Sequence, residues 1–149
     1  MMKHLYYYII GICLLLTGCD THSSDNGDLD GFWQVRTMEN LLTGEVADGR
    51  DHQITWAFQG DFLMLNFDRN RGGKEYVASF IYTGDALKVH NPYFSGRFSE
   101  GNDDAPVVDA TELNILGIYN LEESFKVVKL DGSDMCLQSE AMRIYFRRY

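Results

Sequence analysis

From Leu29 onward, apolar and polar residues alternate in short runs broken by turn residues, a period of two that predicts an antiparallel all-β domain. Residues 31–38 form the first predicted strand. Residues 52–58 form the second, with Ile54, Trp56 and Phe58 on one face and Thr55 and Ala57 on the other. Gln59-Gly60-Asp61 is a tight connection into a third strand at 62–67, whose Leu63, Leu65 and Phe67 share a side. The glycine-rich run Arg69-Asn70-Arg71-Gly72-Gly73 leads to a fourth strand at 75–82, with Tyr76, Ala78, Phe80 and Tyr82 on one face. After Thr83-Gly84-Asp85 comes a strand at 86–90. Pro92 and Gly96 then interrupt the pattern, so residues 93–98 read as a weak or edge strand.

Residues 100–105 form an acidic Gly/Asn/Asp loop. Asp109 or Thr111 is placed to cap a helix running to about Asn120, burying Leu113, Leu116 and Tyr119. Three strands follow, at 124–130, 134–138 and 141–148, separated by Asp131-Gly132 and Ser139-Glu140. Eight or nine strands in consecutive hairpins must close or stack to hide their edges, which leaves an up-and-down barrel or a two-sheet sandwich. No internal repeat or change of composition marks a second domain.

The first 19 residues, MMKHLYYYIIGICLLLTGC, depart from this pattern. Lys3 precedes an apolar run from Leu5 to Leu16, and small residues precede a cysteine, the layout of a secretory signal. The run falls short of the roughly 20 apolar residues that a membrane-spanning helix needs. Leu16-Thr17-Gly18-Cys19 resembles the lipobox of bacterial lipoproteins, which implies cleavage after residue 18 and a lipid on Cys19. Residues 19–28 are then a polar, flexible tether, and residues 29–149 the folded domain. The expected address is the cell envelope, lipid-anchored, with the outer membrane favoured and the leaflet open.

Composition narrows the partners. A formal net charge of −9 makes nucleic acid an improbable partner, because phosphate binding needs a basic face. Of three cysteines, Cys13 lies in the signal and Cys19 in the lipobox, so Cys136 is left without an internal disulfide partner. It sits in the alternating run Met135-Cys136-Leu137-Gln138 and reads as a small wall residue.

The search for chemistry returns no constellation. Of four histidines, His4 and His22 precede the domain, and His52 and His90 have no local ligand spacing, so no metal site is expected. Asn102-Asp103-Asp104 and Asp131-Gly132-Ser133-Asp134 lack calcium-loop spacing and read as turns. No serine sits on a strand-to-helix elbow, and Cys136 has no evident base. Chance carboxylate pairs are abundant among 22 acidic residues, and no set stands out. The reading is non-enzymatic, with no cofactor.

Leu29-Asp30-Gly31-Phe32-Trp33-Gln34-Val35 resembles the Gly-x-Trp opening of lipocalin-like proteins. The resemblance, strongest at 29–38 and 135–148, implies a barrel whose Trp33 plugs the closed end while an arginine of the last strand packs across its ring. Arg143, Arg147 and Arg148 lie there, and Arg143 and Arg147 are taken as the barrel-closing partners. Two features depart from the family: the predicted helix precedes the last three strands, and no paired cysteines tie a terminal segment to the barrel. The barrel reading further implies a small hydrophobic ligand, for which Trp56, Phe58, Phe80, Tyr82 and Tyr145 are the candidate lining, the alternative being that these aromatics only fill the core. Two other functions stay open: docking on another envelope protein through a sheet edge or the acidic loops, and surface glycan binding by exposed aromatics.

Overall fold

The structure, a computed structural model, describes residues 25–96 and 104–149. The signal, Cys19, His22, the start of the tether, residues 97 and 98 of the weak strand and the Asn102-Asp103 pair lie outside the described residues.

The alternation closes into a barrel. Strands β1 (Gly31–Asn40), β2 (Val46–Asp48), β3 (Thr55–Gln59), β4 (Phe62–Asn66) and β5 (Glu75–Tyr82) are followed by β6 (Ala86–Phe94), β7 (Ala105–Pro106), β8 (Glu123–Leu130), β9 (Asp134–Gln138) and β10 (Met142–Arg148). Eight of them run antiparallel in the order β1-β3-β4-β5-β6-β8-β9-β10, and β10 returns to β1 in a register from Trp33 opposite Arg148 to Asn40 opposite Met142. That last pairing rules out the two-sheet sandwich. The two remaining strands are short additions, β2 on the upper part of β1 and β7 on the end of β6.

One face of each strand fills the interior. Ile54, Trp56 and Phe58 are buried as the alternation requires, as are Leu63 and Leu65, Tyr76 and Ala78, Leu87 and Val89, and Ile144 and Phe146. Residues 52–54 precede β3 rather than belong to it, because Gln53 takes φ 49° in a turn closed by its amide onto the Arg50 carbonyl. At Arg36 a β-bulge between Val35 and Thr37 places two successive non-inward residues on β1 before Met38 turns back to the core.

Three expectations need correction. β6 runs unbroken through Pro92, because the proline falls in the gap where β6 exchanges β8 for β7 as its partner. Asn91 at φ 51° makes the accompanying bulge against β5, and the Pro92 carbonyl still accepts from the Val107 amide at 2.9 Å. The helix is a 3-10 helix, Ala110–Leu116, shorter than expected: Asp109 caps it by accepting from the Thr111 amide, and Gly117 ends it at φ 85°. Leu113 and Leu116 are buried. The part of the tether that is described, Asp25 to Asp28, is packed on the barrel: Gly27–Leu29 makes a 3-10 turn, and the Asn26 side-chain Nδ2 donates to the Gly60 carbonyl at 2.8 Å.

Candidate functional site

The barrel has two ends, each closed by a different device. At the floor, Trp33 is fully buried and its indole N–H donates to the Leu29 carbonyl at 2.8 Å. The guanidinium of Arg148 lies 4.6 Å from the Trp33 ring centroid, a cation–π contact, while its Nη1 donates to the Asp30 carbonyl at 2.8 Å and its Nη2 to the Asp28 carbonyl. Gly31 takes φ 121°, a backbone conformation that residues with a Cβ rarely adopt, and a Cβ there would come within 2.8 Å of Arg148 Nη1 and push the guanidinium aside. The Gly-x-Trp motif is therefore one half of a floor whose other half is the penultimate residue of the chain.

This corrects the choice of arginine. Arg143 and Arg147 share the outward face of β10 with Tyr145, opposite in parity to Ile144, Phe146 and Arg148. Arg143 donates to Gln138 and pairs with Glu39 at 3.3 Å. Tyr145, expected inside, is 40% exposed on the outer wall. Cys136 lies opposite Tyr145 in the β9–β10 register, and burial pushes its thiol up, away from the reactive thiolate.

At the mouth, the Ala110–Leu116 turn lays Leu113 and Leu116 into the barrel, and Ile118 follows them. Gly117 passes so near the wall that a Cβ would meet Ile144 Cδ1 at 2.5 Å. Glu112 fastens this cap to β5, pairing with Lys74 at 3.3 Å and facing the Tyr76 hydroxyl.

Between floor and cap, four of the five expected lining residues come together. Trp56 makes edge contacts with Phe125 and Phe146, at centroid distances of 5.7 and 5.2 Å, and Phe58 meets Phe80 at 5.2 Å and 88°. Tyr82 lies partly buried near the floor, where burial and then the charge of Asp28 raise its hydroxyl. The indole N–H of Trp56, fully buried, meets no acceptor among the described residues. Phe125 and Phe146 belong to the same cluster, and their place on alternating strands was the signal that could have found them.

Tyr76 gives the upper half a pH signature. Burial, then the Glu112 charge and its hydrogen bond, push the phenol up to about 12. An unfolded tyrosine ionises near 10, so above that pH the unfolded chain has released a proton that the native chain keeps. Stability from this group is complete below pH 10 and is lost as pH rises toward 12. Urea midpoints across that range are expected to fall, with a shallower fall for Tyr76→Phe; parallel falls would remove Tyr76 as a source.

Residues 14–149 match the family model described as "Lipocalin-like domain". A lipocalin-like protein from Bacteroides uniformis has a similar structure, with a TM-score of 0.61 at 20% identity over 83% of this chain and 100% of that one. An uncharacterized protein from Bacteroides eggerthii gives 0.56 at 22% identity, over 81% and 99%. No curated protein matches the chain.

Proposed function

The chain belongs to the lipocalin-like domain family, and from that membership we propose that it is a non-enzymatic, lipid-anchored envelope protein that takes one small hydrophobic molecule into its barrel. The observation that carries the reading is the Trp56 indole N–H, buried without an acceptor at the centre of an aromatic wall. A buried donor left unmade costs about 1–3 kcal/mol, so a ligand bringing one acceptor to this point gains both the aromatic contact and the missing hydrogen bond. The favoured ligand is therefore largely apolar and carries a single carbonyl, ether or carboxylate oxygen. Because the interior is filled by side chains, binding requires the Ala110–Leu116 cap to lift and the aromatics to rotate aside. The cap is the natural gate, being one short turn rather than a barrel strand.

The lipobox-like run supports anchoring at Cys19, and the ordered turn from Asp25 onward leaves only a few residues of tether between lipid and barrel. Purified from the envelope of its own host, the mature protein is expected to begin at Cys19 with an acyl mass and to carry a second mass that is lost on denaturation and reduced in Trp56→Phe. A bare protein mass with no tryptophan fluorescence response to a panel of fatty acids and isoprenoids would sink the carrier reading.

A further inference from the structure

The outer wall of the barrel is not uniform. On β8 and β10 it is mixed: Ser124, Lys126, Arg143 and Arg147 face out, and Val128 and Tyr145 are exposed apolar side chains among them. Across β1, β3, β4, β5 and β6 the strand registers place a different row side by side: Phe32 opposite Ala57, Ala57 opposite Met64, Met64 opposite Val77 and Val77 opposite Tyr93. These are outward positions, alternate to the buried Trp33, Phe58, Leu63 and Ala78. Phe62, on the same face of β4 as Met64, extends the row downward, and Tyr149 joins its end through a hydrogen bond from its amide to the Phe32 carbonyl. Phe32 is 56% exposed and Phe62 54%. Gln34 and Thr55 on one side of this row and Gln59 and Ser79 on the other keep the same outer face polar, so the apolar side chains form a single band across five strands, with Ala57 buried within it. A contiguous band of this kind marks a surface with a partner.

The place of Asp25 beside this band says which partner. Asp25, Asn26 and Asp30 rim the cleft floored by Phe32, Phe62, Met64 and Val77. Asn26 fixes that rim to the β3–β4 turn, so Asp25, where the described residues begin, lies on this side of the barrel. Five residues stand between Cys19 and Asp25, a span of six Cα steps that reaches at most about 22 Å even when fully extended. A lipid on Cys19 therefore holds this wall close to the bilayer, where phenyl and phenol rings are favoured at the boundary between chains and headgroups.

We propose that the apolar wall of β1 and β3–β5 rests on the lipid bilayer, giving the anchored barrel one fixed orientation. The inference rests on the anchoring reading and adds to it a second contact. The carboxylates of Asp25, Asp30 and Asp61 at the rim of the cleft then lie among the headgroups, which favours zwitterionic lipid and disfavours an anionic surface.

The test uses the mature, host-processed protein reconstituted in phosphatidylethanolamine–phosphatidylcholine vesicles, with a nitroxide at Phe62→Cys or at Val128→Cys on the far wall; Cys136 is buried, and the parent protein controls for its labelling. The expected result is a several-fold lower collision rate with an aqueous nickel chelate at 62 than at 128, shrinking as phosphatidylglycerol is added. Equal rates overturn the proposal, and an acyl mass on Cys19 would then leave the anchor standing. If that mass is missing, the anchoring reading fails instead; protection of position 62 on adding vesicles still supports the bilayer contact, and its absence overturns it. Protection without vesicles, together with a doubled native mass, assigns the wall to a second copy and overturns the proposal.

Discussion

Trp33→Ala is expected to lower the unfolding free energy by about 3–5 kcal/mol, the range for deleting a large buried aromatic. Three losses coincide at this position: the ring itself, fully buried; its hydrogen bond to the Leu29 carbonyl; and the face on which Arg148 lies. The partners do not disappear with the ring, since the guanidinium and the Leu29 carbonyl stay behind at a floor that no longer fits them. Arg148→Ala should be milder, on the order of 1 kcal/mol for the cation–π contact plus the hydrogen bonds to the Asp28 and Asp30 carbonyls. Urea unfolding of both variants checks the order. If Trp33→Ala shifts the midpoint no more than Arg148→Ala does, the floor is held by the backbone around Gly31 rather than by the indole.

The second large effect belongs to the mouth. Leu116→Ala is expected to cost about 2–5 kcal/mol, because Leu116 is fully buried and the wall beside it has no slack: Gly117 already passes against Ile144. The loss falls on a segment whose polar ties to the barrel, among the described residues, are those of Glu112 with Lys74 and Tyr76, of the Val107 amide with Pro92, and of Tyr119 and Asn120 with the Glu123 carboxylate. The variant should therefore open the cap before it unfolds the barrel. Amide exchange distinguishes the two, with faster exchange at Ile118, whose amide bonds back to the Leu113 carbonyl, and little change in β3 and β4. If the cap is the gate, an apolar probe equilibrates faster with this variant than with the parent. Unchanged exchange of the probe despite a lowered midpoint would place the path elsewhere.

How much of this the sequence disclosed depended on whether a period of two was followed to its end. In β3, β4 and β5 the apolar face is continuous, so alternation alone groups Trp56, Leu65 and Tyr76 with their apolar neighbours, and that face is the buried one. In β10 the same rule, starting from Ile144 and Phe146, selects Arg148 for the floor and turns Arg143, Tyr145 and Arg147 outward. Choosing by residue type instead of parity put an aromatic inside and missed the arginine that matters. Pro92 misled for a different reason: a proline ends a strand only when the missing N–H was needed, and the gap between β8 and β7 removes that need. The short β2 is hidden because Val46–Asp48 is mostly exposed and carries no alternation long enough to read. The outer apolar wall was also out of reach, since Phe32, Met64 and Val77 stand far apart in the chain and become neighbours only through the strand registers.

The pairing of β1 with β10 also sets the order of events in folding. Trp33 needs Arg148, and Asn40 needs Met142, so the first strand waits for the last and the contact that completes the barrel closes a loop of nearly the whole domain. The hairpins β3–β4, β4–β5 and β8–β9 can form locally while the chain is still being made. Until the final strand arrives, β1 offers one unpaired edge, and a nascent chain lacking its last residues resembles an opened ribbon more than a damaged barrel. Folding should accordingly be slow, limited by one late closure, and deletions of a few residues should be far more harmful at the C-terminus than in the Arg69–Arg71 loop.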